Sequence, residues 1–145
     1  MAENYYANVN PEVLRCIPPD ATVVLEVGCG AGALGRAYKM RNPLGRYIGL
    51  EVFAEAADQA RNYLNKVICG DAETIRREEV LAPSERIDCL VYGDVLEHLR
   101  DPWRVLKEQA TWLSDDGQVI ACIPNVQHWT VLANLLAGHW QYEQH

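Results

Sequence analysis

The sequence lacks the features of membrane-spanning, secreted and nucleic-acid-binding proteins. No apolar run approaches the roughly 18 residues that a transmembrane helix needs. The first residues, MAENYYANVNPEV, are polar and predict no signal peptide. Positive charge is scarce, since 13 Lys and Arg residues face 20 Asp and Glu residues for a net charge of −7. This balance disfavours a polyanion, so we predict neither a membrane nor a nucleic acid as partner.

The cysteines lack any pairing pattern. There are five of them, an odd number, and no CxxC spacing occurs. This argues against a disulfide framework or a zinc ribbon. Most of them lie in apolar stretches, which predicts small buried thiols in a reducing compartment and a cytoplasmic protein.

What is present is the composition of one globular domain spanning residues 1–145. Hydrophobic residues make up 49% of the 145 residues and charged residues 23%, which is enough to build a single core. The apolar pattern alternates between short β-rich runs and longer amphipathic stretches. It predicts strands at 22–27, 46–51, 66–69, 86–92 and 118–123, a turn at 114–117, and helices at 10–16, 33–41, 53–65, 73–81, 101–113 and 126–137.

Strands that alternate with helices indicate βαβ units, whose right-handed crossovers produce a parallel sheet covered on both faces. We therefore predict an α/β fold with a doubly wound parallel sheet. Ligands of such sheets bind beyond the carboxyl ends of the strands, so functional residues are expected where strands end.

A glycine cluster follows the first predicted strand. Gly28, Gly30 and Gly32 can form a tight turn alone, or bring backbone against a nucleotide-like ligand. A dinucleotide fingerprint is formally met, with Glu51 at the distance expected for an acid that binds ribose hydroxyls. However, Glu26 places a carboxylate just before the loop, where it repels pyrophosphate and favours a ligand with an ammonium group.

The spacing of these residues resembles the first motif of class I S-adenosylmethionine-dependent methyltransferases, acid-x-Gly-x-Gly-x-Gly. The likeness continues at later strand ends, where family members bind the ribose with the acid at Glu51 and the adenine with the acid at Asp71. The sequence GDVLEH at 93–98 occupies the position that flanks the transferred methyl group. The resemblance implies S-adenosylmethionine as cofactor and a binding set of Glu26, Gly28, Cys29, Gly30, Gly32, Glu51, Val52, Asp71, Ala72, Gly93 and Asp94.

The segment Asp94-x-x-Glu97-His98 resembles the E-x-x-E-H motif with which ubiquinone-pathway and small-RNA methyltransferases hold a divalent ion. Here the first position is the shorter Asp, so we predict no metal and treat Glu97 and His98 as catalytic candidates. The alternative is that both side chains merely line the pocket. If the acceptor is a hydroxyl, His98 is the candidate that takes its proton.

Aromatic residues and His128 carry weaker predictions. His128 is either a partner of His98 or a histidine that begins a helix. Tyr5 and Tyr6 either cover the cofactor or pack in the core. The tryptophans at 103, 112 and 140 are predicted to pack in amphipathic stretches.

The resemblance implies methyl transfer, which we expect to reach an oxygen of a small molecule or sugar. The alternatives are an NAD-type oxidoreductase domain and a cofactor-binding module without turnover. The resemblance implies a Rossmann-like sheet with five strands in the order 3-2-1-4-5. Family members have seven strands, so this sequence is expected to be truncated, as the N-terminal part of a longer domain or as a minimal domain that a partner completes. The fifth strand would then be an apolar edge, and it or the last helix is expected to pair two copies in a homodimer.

Overall fold

The computed structural model describes residues 9–125 and 127–139. Tyr5, Tyr6 and Trp140 lie outside these residues, as does Val126. The strands are β1 (Val23–Val27), β2 (Arg46–Glu51), β3 (Lys66–Cys69), β4 (Ile87–Gly93) and β5 (Leu113–Cys122). The helices are α1 (Pro11–Cys16), α2 (Ala33–Arg41), α3 (Ala54–Ala60), α4 (Arg77–Val80), α5 (Pro102–Ala110) and α6 (Trp129–Leu136), with a 3₁₀ turn at Leu96–His98.

The strands form one sheet in the order β3-β2-β1-β4-β5, with every neighbouring pair parallel, as predicted. All five residues of β1 are buried, because helices cover both faces of the central strand. One core cluster contains Leu25, Leu90 and Trp112, and the other contains Val24, Tyr38 and Tyr47. Strands β2 and β3 lie on one side of β1, and β4 and β5 lie on the other. Ligands of such sheets bind at the carboxyl end of the strand where the order reverses, which is β1.

Helix α3 ends at Ala60, five residues before the predicted end at Asn65. Asn65 instead pairs with the second residue of β2. The backbone N–H of Asn65 donates to the Tyr47 carbonyl at 3.0 Å, and its side-chain oxygen accepts from the Tyr47 backbone N–H at 2.9 Å. This pairing draws the chain away from the helix axis before β3 begins.

The segment predicted as a turn at 114–117 lies inside β5, and α5 ends at Ala110 rather than at residue 113. Ile87 pairs with Leu113 while Cys89 pairs with Gln118, so the extra residues bulge within the ladder. The Ser114 hydroxyl donates to the Asp88 carboxylate at 3.1 Å, which ties the bulge to β4.

Two predictions about burial are wrong in part. Trp112 is buried as expected, but Trp103 is 72% exposed on α5. Cys29 and Cys89 are buried thiols, whereas Cys16 and Cys69 are exposed, because they end a short helix and an edge strand. All five cysteines are free.

Strand β5 forms one edge of the described sheet, and α6 has no buried residue. Its apolar side chains are open to solvent, including Trp129, Leu132, Leu135 and Leu136. Self-association through this region stays a prediction. Among the described residues, no helix has the length and apolar character needed to cross a membrane.

Candidate functional site

The glycine loop turns sharply between β1 and α2. Gly28, Gly30 and Gly32 have φ values of 73°, 51° and 84°, a region that strongly favours glycine. The loop is tied to the end of β2, because the N–H groups of Gly28 and Cys29 both donate to the Leu50 carbonyl, at 2.7 and 3.1 Å. Gly32 is the N-cap residue of α2. The geometry therefore agrees with the strand, glycine turn and helix expected from the sequence.

Gly28 also allows the loop after β4 to approach. A Cβ atom at this position would lie 2.2 Å from Cγ2 of Val95. This close contact brings the segment after Gly93 against the glycine loop. Two of the predicted clusters, from β1 and from β4, are thus adjacent.

Glu51 ends β2 and is 5% exposed. One carboxylate oxygen accepts from the Gly30 N–H at 2.8 Å, and the other accepts from the Phe53 N–H at 2.9 Å. These bonds hold the carboxylate at the crevice while each oxygen keeps a further lone pair for a ligand hydroxyl. Val52 and Phe53 follow with exposed side chains at the same edge.

Glu26 is also 5% exposed, with its carboxyl group in the core beneath the loop. Oε2 accepts from the Tyr47 hydroxyl at 3.1 Å, and no donor among the described residues reaches Oε1. Burial raises the pKa of Glu26 to about 8, the Tyr47 hydrogen bond lowers it, and the nearby Glu51 raises it. In the ligand-free protein this group therefore keeps its proton at neutral pH.

Cys29 lies between these acids and is buried. Burial raises the pKa of its thiol well above the usual range, and at the high pH where a thiol would ionise the charges of Glu26 and Glu51 raise it further. A protonated, buried thiol is a poor nucleophile, so we assign no chemistry to the Cys29 side chain.

Asp71 follows β3 in an exposed turn. Its side chain accepts from the Glu73 N–H at 2.8 Å, and its carbonyl accepts from the N–H groups of Thr74 and Ile75. The helix predicted at 73–81 is only the four residues Arg77–Val80, and Asp71 stabilises the turn that precedes it. Ala72 is half-buried beside it.

After Gly93 the chain leaves the sheet in an irregular turn. Asp94 has φ 53°, a left-handed conformation that is uncommon for a residue other than glycine, and its N–H donates to the Cys122 carbonyl at 3.2 Å. The 3₁₀ turn then exposes Glu97 and His98 to solvent. Within the described ranges, no group of three His, Cys, Asp or Glu side chains is arranged to hold a metal ion.

His128 begins α6. Its Nδ1 lies 2.8 Å from the Thr130 hydroxyl and also caps the Thr130 N–H. This is the helix-start role, one of the two alternatives that the sequence left open.

Three buried residues that the sequence analysis did not single out support the site. Tyr47 contacts Glu26, and Gln109 on α5 joins Tyr92 to the turn after β3. The sequence pattern could have identified Gln109, because it is a polar residue four positions after Val105 on the apolar face of α5. The pattern does not identify Tyr47 and Tyr92, because tyrosine is a common core residue of β-strands.

Known proteins share this fold and sequence pattern. A family model described as a methyltransferase domain matches residues 25–119. An uncharacterized 37.1 kDa protein in a transposon of Streptomyces fradiae is 30% identical over 136 residues, covering 90% of this chain and 37% of that protein. A ubiquinone biosynthesis O-methyltransferase of Coxiella burnetii is 26% identical over 121 residues, covering 77% of this chain and 49% of the enzyme.

Among solved structures, the N-terminal domain of EvdMO1 with SAH (S-adenosylhomocysteine) bound superposes with a TM-score of 0.62. It is 26% identical and the match covers 79% of this chain and 50% of that one. The chain therefore belongs to the methyltransferase domain family, which confirms the resemblance to class I S-adenosylmethionine-dependent methyltransferases. It spans between about a third and a half of the length of these curated relatives.

Proposed function

We propose that this chain binds S-adenosylmethionine at the carboxyl ends of β1 and β2 and supports methyl transfer to an oxygen of a small molecule or sugar. The observation that carries the proposal is Glu51. Its buried carboxylate is held by the N–H groups of Gly30 and Phe53, at the place where the family binds ribose hydroxyls. Family membership and the SAH bound to EvdMO1 support the same ligand.

The residues present suit such a ligand. Glu26 and Glu51 are two buried acids, and a cation bound beside them would offset the charge of Glu51 and favour release of the proton from Glu26. Oε1 of Glu26, which no donor in the described part of the chain reaches, fits the ammonium group of the methionine part. Asp71, in its exposed turn, fits the adenine amino group. A dinucleotide fits less well, because its pyrophosphate would add negative charge beside Glu26.

When bound, S-adenosylmethionine supplies an electrophilic methyl group on sulfur. The acceptor oxygen forms the new carbon–oxygen bond as the carbon–sulfur bond breaks, and the sulfur keeps that electron pair. The protein's main contribution is to hold donor and acceptor in line, which contributes up to roughly 7–11 kcal/mol. His98 is exposed beside the end of β4, so it can take the proton released by the acceptor hydroxyl.

Calorimetry with SAH and NAD tests the proposed ligand. We expect the chain to bind SAH and not NAD. Glu51→Ala should weaken SAH binding at least tenfold, because it removes a charge-assisted acceptor for the ribose. Glu55→Ala, an exposed acid on α3, is the matched control and should bind as the wild type does. Unchanged SAH affinity in folded Glu51→Ala would refute the assignment of Glu51.

The acceptor proposal needs a separate assay. Release of SAH from S-adenosylmethionine should occur with hydroxyl-bearing acceptors and decrease at least tenfold in His98→Ala. Binding of S-adenosylmethionine with no transfer to any acceptor, including in a longer chain, would instead favour a module without turnover.

A further inference from the structure

Gln109 carries the one side-chain amide that is buried among the described residues, with 1% of its surface exposed. A glutamine amide in this position costs free energy unless hydrogen bonds satisfy it. It forms two. Oε1 accepts from the Tyr92 hydroxyl at 2.7 Å, and Nε2 donates to the Ala72 carbonyl at 3.1 Å.

These partners fix the orientation of the amide. The Ala72 carbonyl has no hydrogen to donate, so it must face Nε2 and not Oε1. Tyr92 is fully buried, and burial raises the pKa of its hydroxyl, which therefore keeps its proton and donates to Oε1. The amide is thus a directed link from the end of β4 to the turn after β3.

The link spans strands that do not touch, since β2 and β1 lie between β3 and β4. The first turn of α5 adds two contacts to the same turn. The Arg104 guanidinium donates to the Glu73 carbonyl at 3.0 Å, and the Asp101 N–H donates to the Glu73 carboxylate at 3.0 Å. Helix α5 therefore holds Ala72 and Glu73 from one side, while Asp71 stays exposed on the turn.

We propose that Gln109 is a positioning residue that sets the selectivity of this domain for adenine, by holding the Ala72 carbonyl and so the turn that carries Asp71. The inference rests on the proposed function, in which Asp71 accepts from the adenine amino group. Gln109 does not touch the ligand in this account. It acts through the backbone of Ala72 and fixes where the Asp71 carboxylate lies.

The test compares two ligands that differ at one group. S-inosylhomocysteine has an oxo group where SAH has the adenine amino group, so it offers Asp71 no donor. Their affinities are measured by calorimetry for the wild type, for Gln109→Met and for Gln109→Met combined with Tyr92→Phe. In Gln109→Met the Tyr92 hydroxyl is buried without its acceptor, which can prevent folding. The double variant removes that hydroxyl as well and is measured if the single variant does not fold.

The ratio of the two affinities is the readout, because a general loss of stability lowers both affinities together. We expect the preference for SAH to fall about fivefold in either Gln109 variant, the equivalent of one hydrogen bond. Tyr38→Phe is the matched control. Its hydroxyl is bonded to the carbonyls of Pro18 and Ala21 in the other core cluster, and its loss should leave the ratio unchanged.

The outcomes separate this inference from the function on which it rests. A folded Gln109 variant that keeps the wild-type ratio overturns the positioning role and leaves the proposed function intact. Failure of the wild type to bind SAH refutes the proposed function, and the inference with it. A wild type that binds both ligands equally overturns the inference and the role of Asp71 toward adenine, while SAH binding itself stands.

Discussion

Glu26→Gln should change stability and ligand binding in opposite directions. Glutamine has nearly the same shape as glutamate and keeps a carbonyl oxygen to accept from Tyr47, but it cannot ionise. The wild-type carboxyl group is buried with a single hydrogen bond from described residues, and its pKa is raised to about 8. In the unfolded chain the same group has its ordinary pKa of 4.5.

The direction in which stability changes with pH follows from proton binding by Glu26. Between pH 4.5 and about 8 the folded protein holds a proton on Glu26 that the unfolded chain has released, so stability falls as pH rises through this window. The stabilisation is complete below pH 4.5 and lost above about 8. At about 1.36 kcal/mol per pKa unit, the difference corresponds to an upper bound of roughly 5 kcal/mol. This is comparable to the whole stability of a small domain.

Chemical denaturation between about pH 5 and about pH 9 measures the effect, as the difference between wild type and Glu26→Gln. We expect the free energy of unfolding of Glu26→Gln to rise relative to that of the wild type as pH rises. Its SAH affinity should fall about tenfold or more, because the variant has no carboxylate to pair with the ammonium group of the ligand. Glu55→Gln, on an exposed acid, should follow the wild type. Parallel stability curves for wild type and Glu26→Gln would refute the reasoning.

Tyr47→Phe extends the same prediction. It removes the hydrogen bond that lowers the pKa of Glu26, so the loss of stability should shift to higher pH. Tyr38→Phe removes a hydroxyl from an equally buried ring whose centroid lies 5.6 Å away, and it should leave that pH dependence unchanged. Identical pH curves for the two variants would contradict a role for the Tyr47 hydroxyl.

Three further experiments test other parts of the site and assembly. Gly30→Val should abolish SAH binding while circular dichroism still reports a fold, because φ 51° disfavours a branched side chain; retained binding would mean that the loop is only a turn. EDTA should leave methyl transfer unchanged, because Asp94 has a left-handed backbone conformation and lies outside the 3₁₀ turn that carries Glu97 and His98. Rescue of activity by Mg²⁺ or Mn²⁺ after EDTA would overturn this prediction. Light scattering of this 145-residue chain should give the mass of a dimer, because α6 exposes several large apolar side chains. A mass near the 16.3 kDa of the monomer, at a protein concentration on the order of tens of micromolar, would contradict this prediction.

The fold could be predicted largely from local pattern. Strands β1, β2 and β3 lie within one residue of their predicted bounds, because continuous apolar runs between turn residues allow few alternatives. The pattern failed where a tertiary contact competed with it. Asn65 leaves the helix to pair with Tyr47, and the polar segment at 114–117 stays in β5 because Ser114 is bonded to Asp88.

The sequence by itself determined the succession of strands and helices, the glycine turn and which acids stand at strand ends, because these follow from periodicity and from backbone conformations that strongly favour glycine. Only the tertiary structure decided what surrounds those acids. Tyr47 lies 21 positions from Glu26, and Gln109 lies 37 positions from Ala72. Such contacts depend on strand register and on how α5 packs across the sheet. They therefore exist only once the chain is folded, and with them come the raised pKa of Glu26 and the directed amide of Gln109.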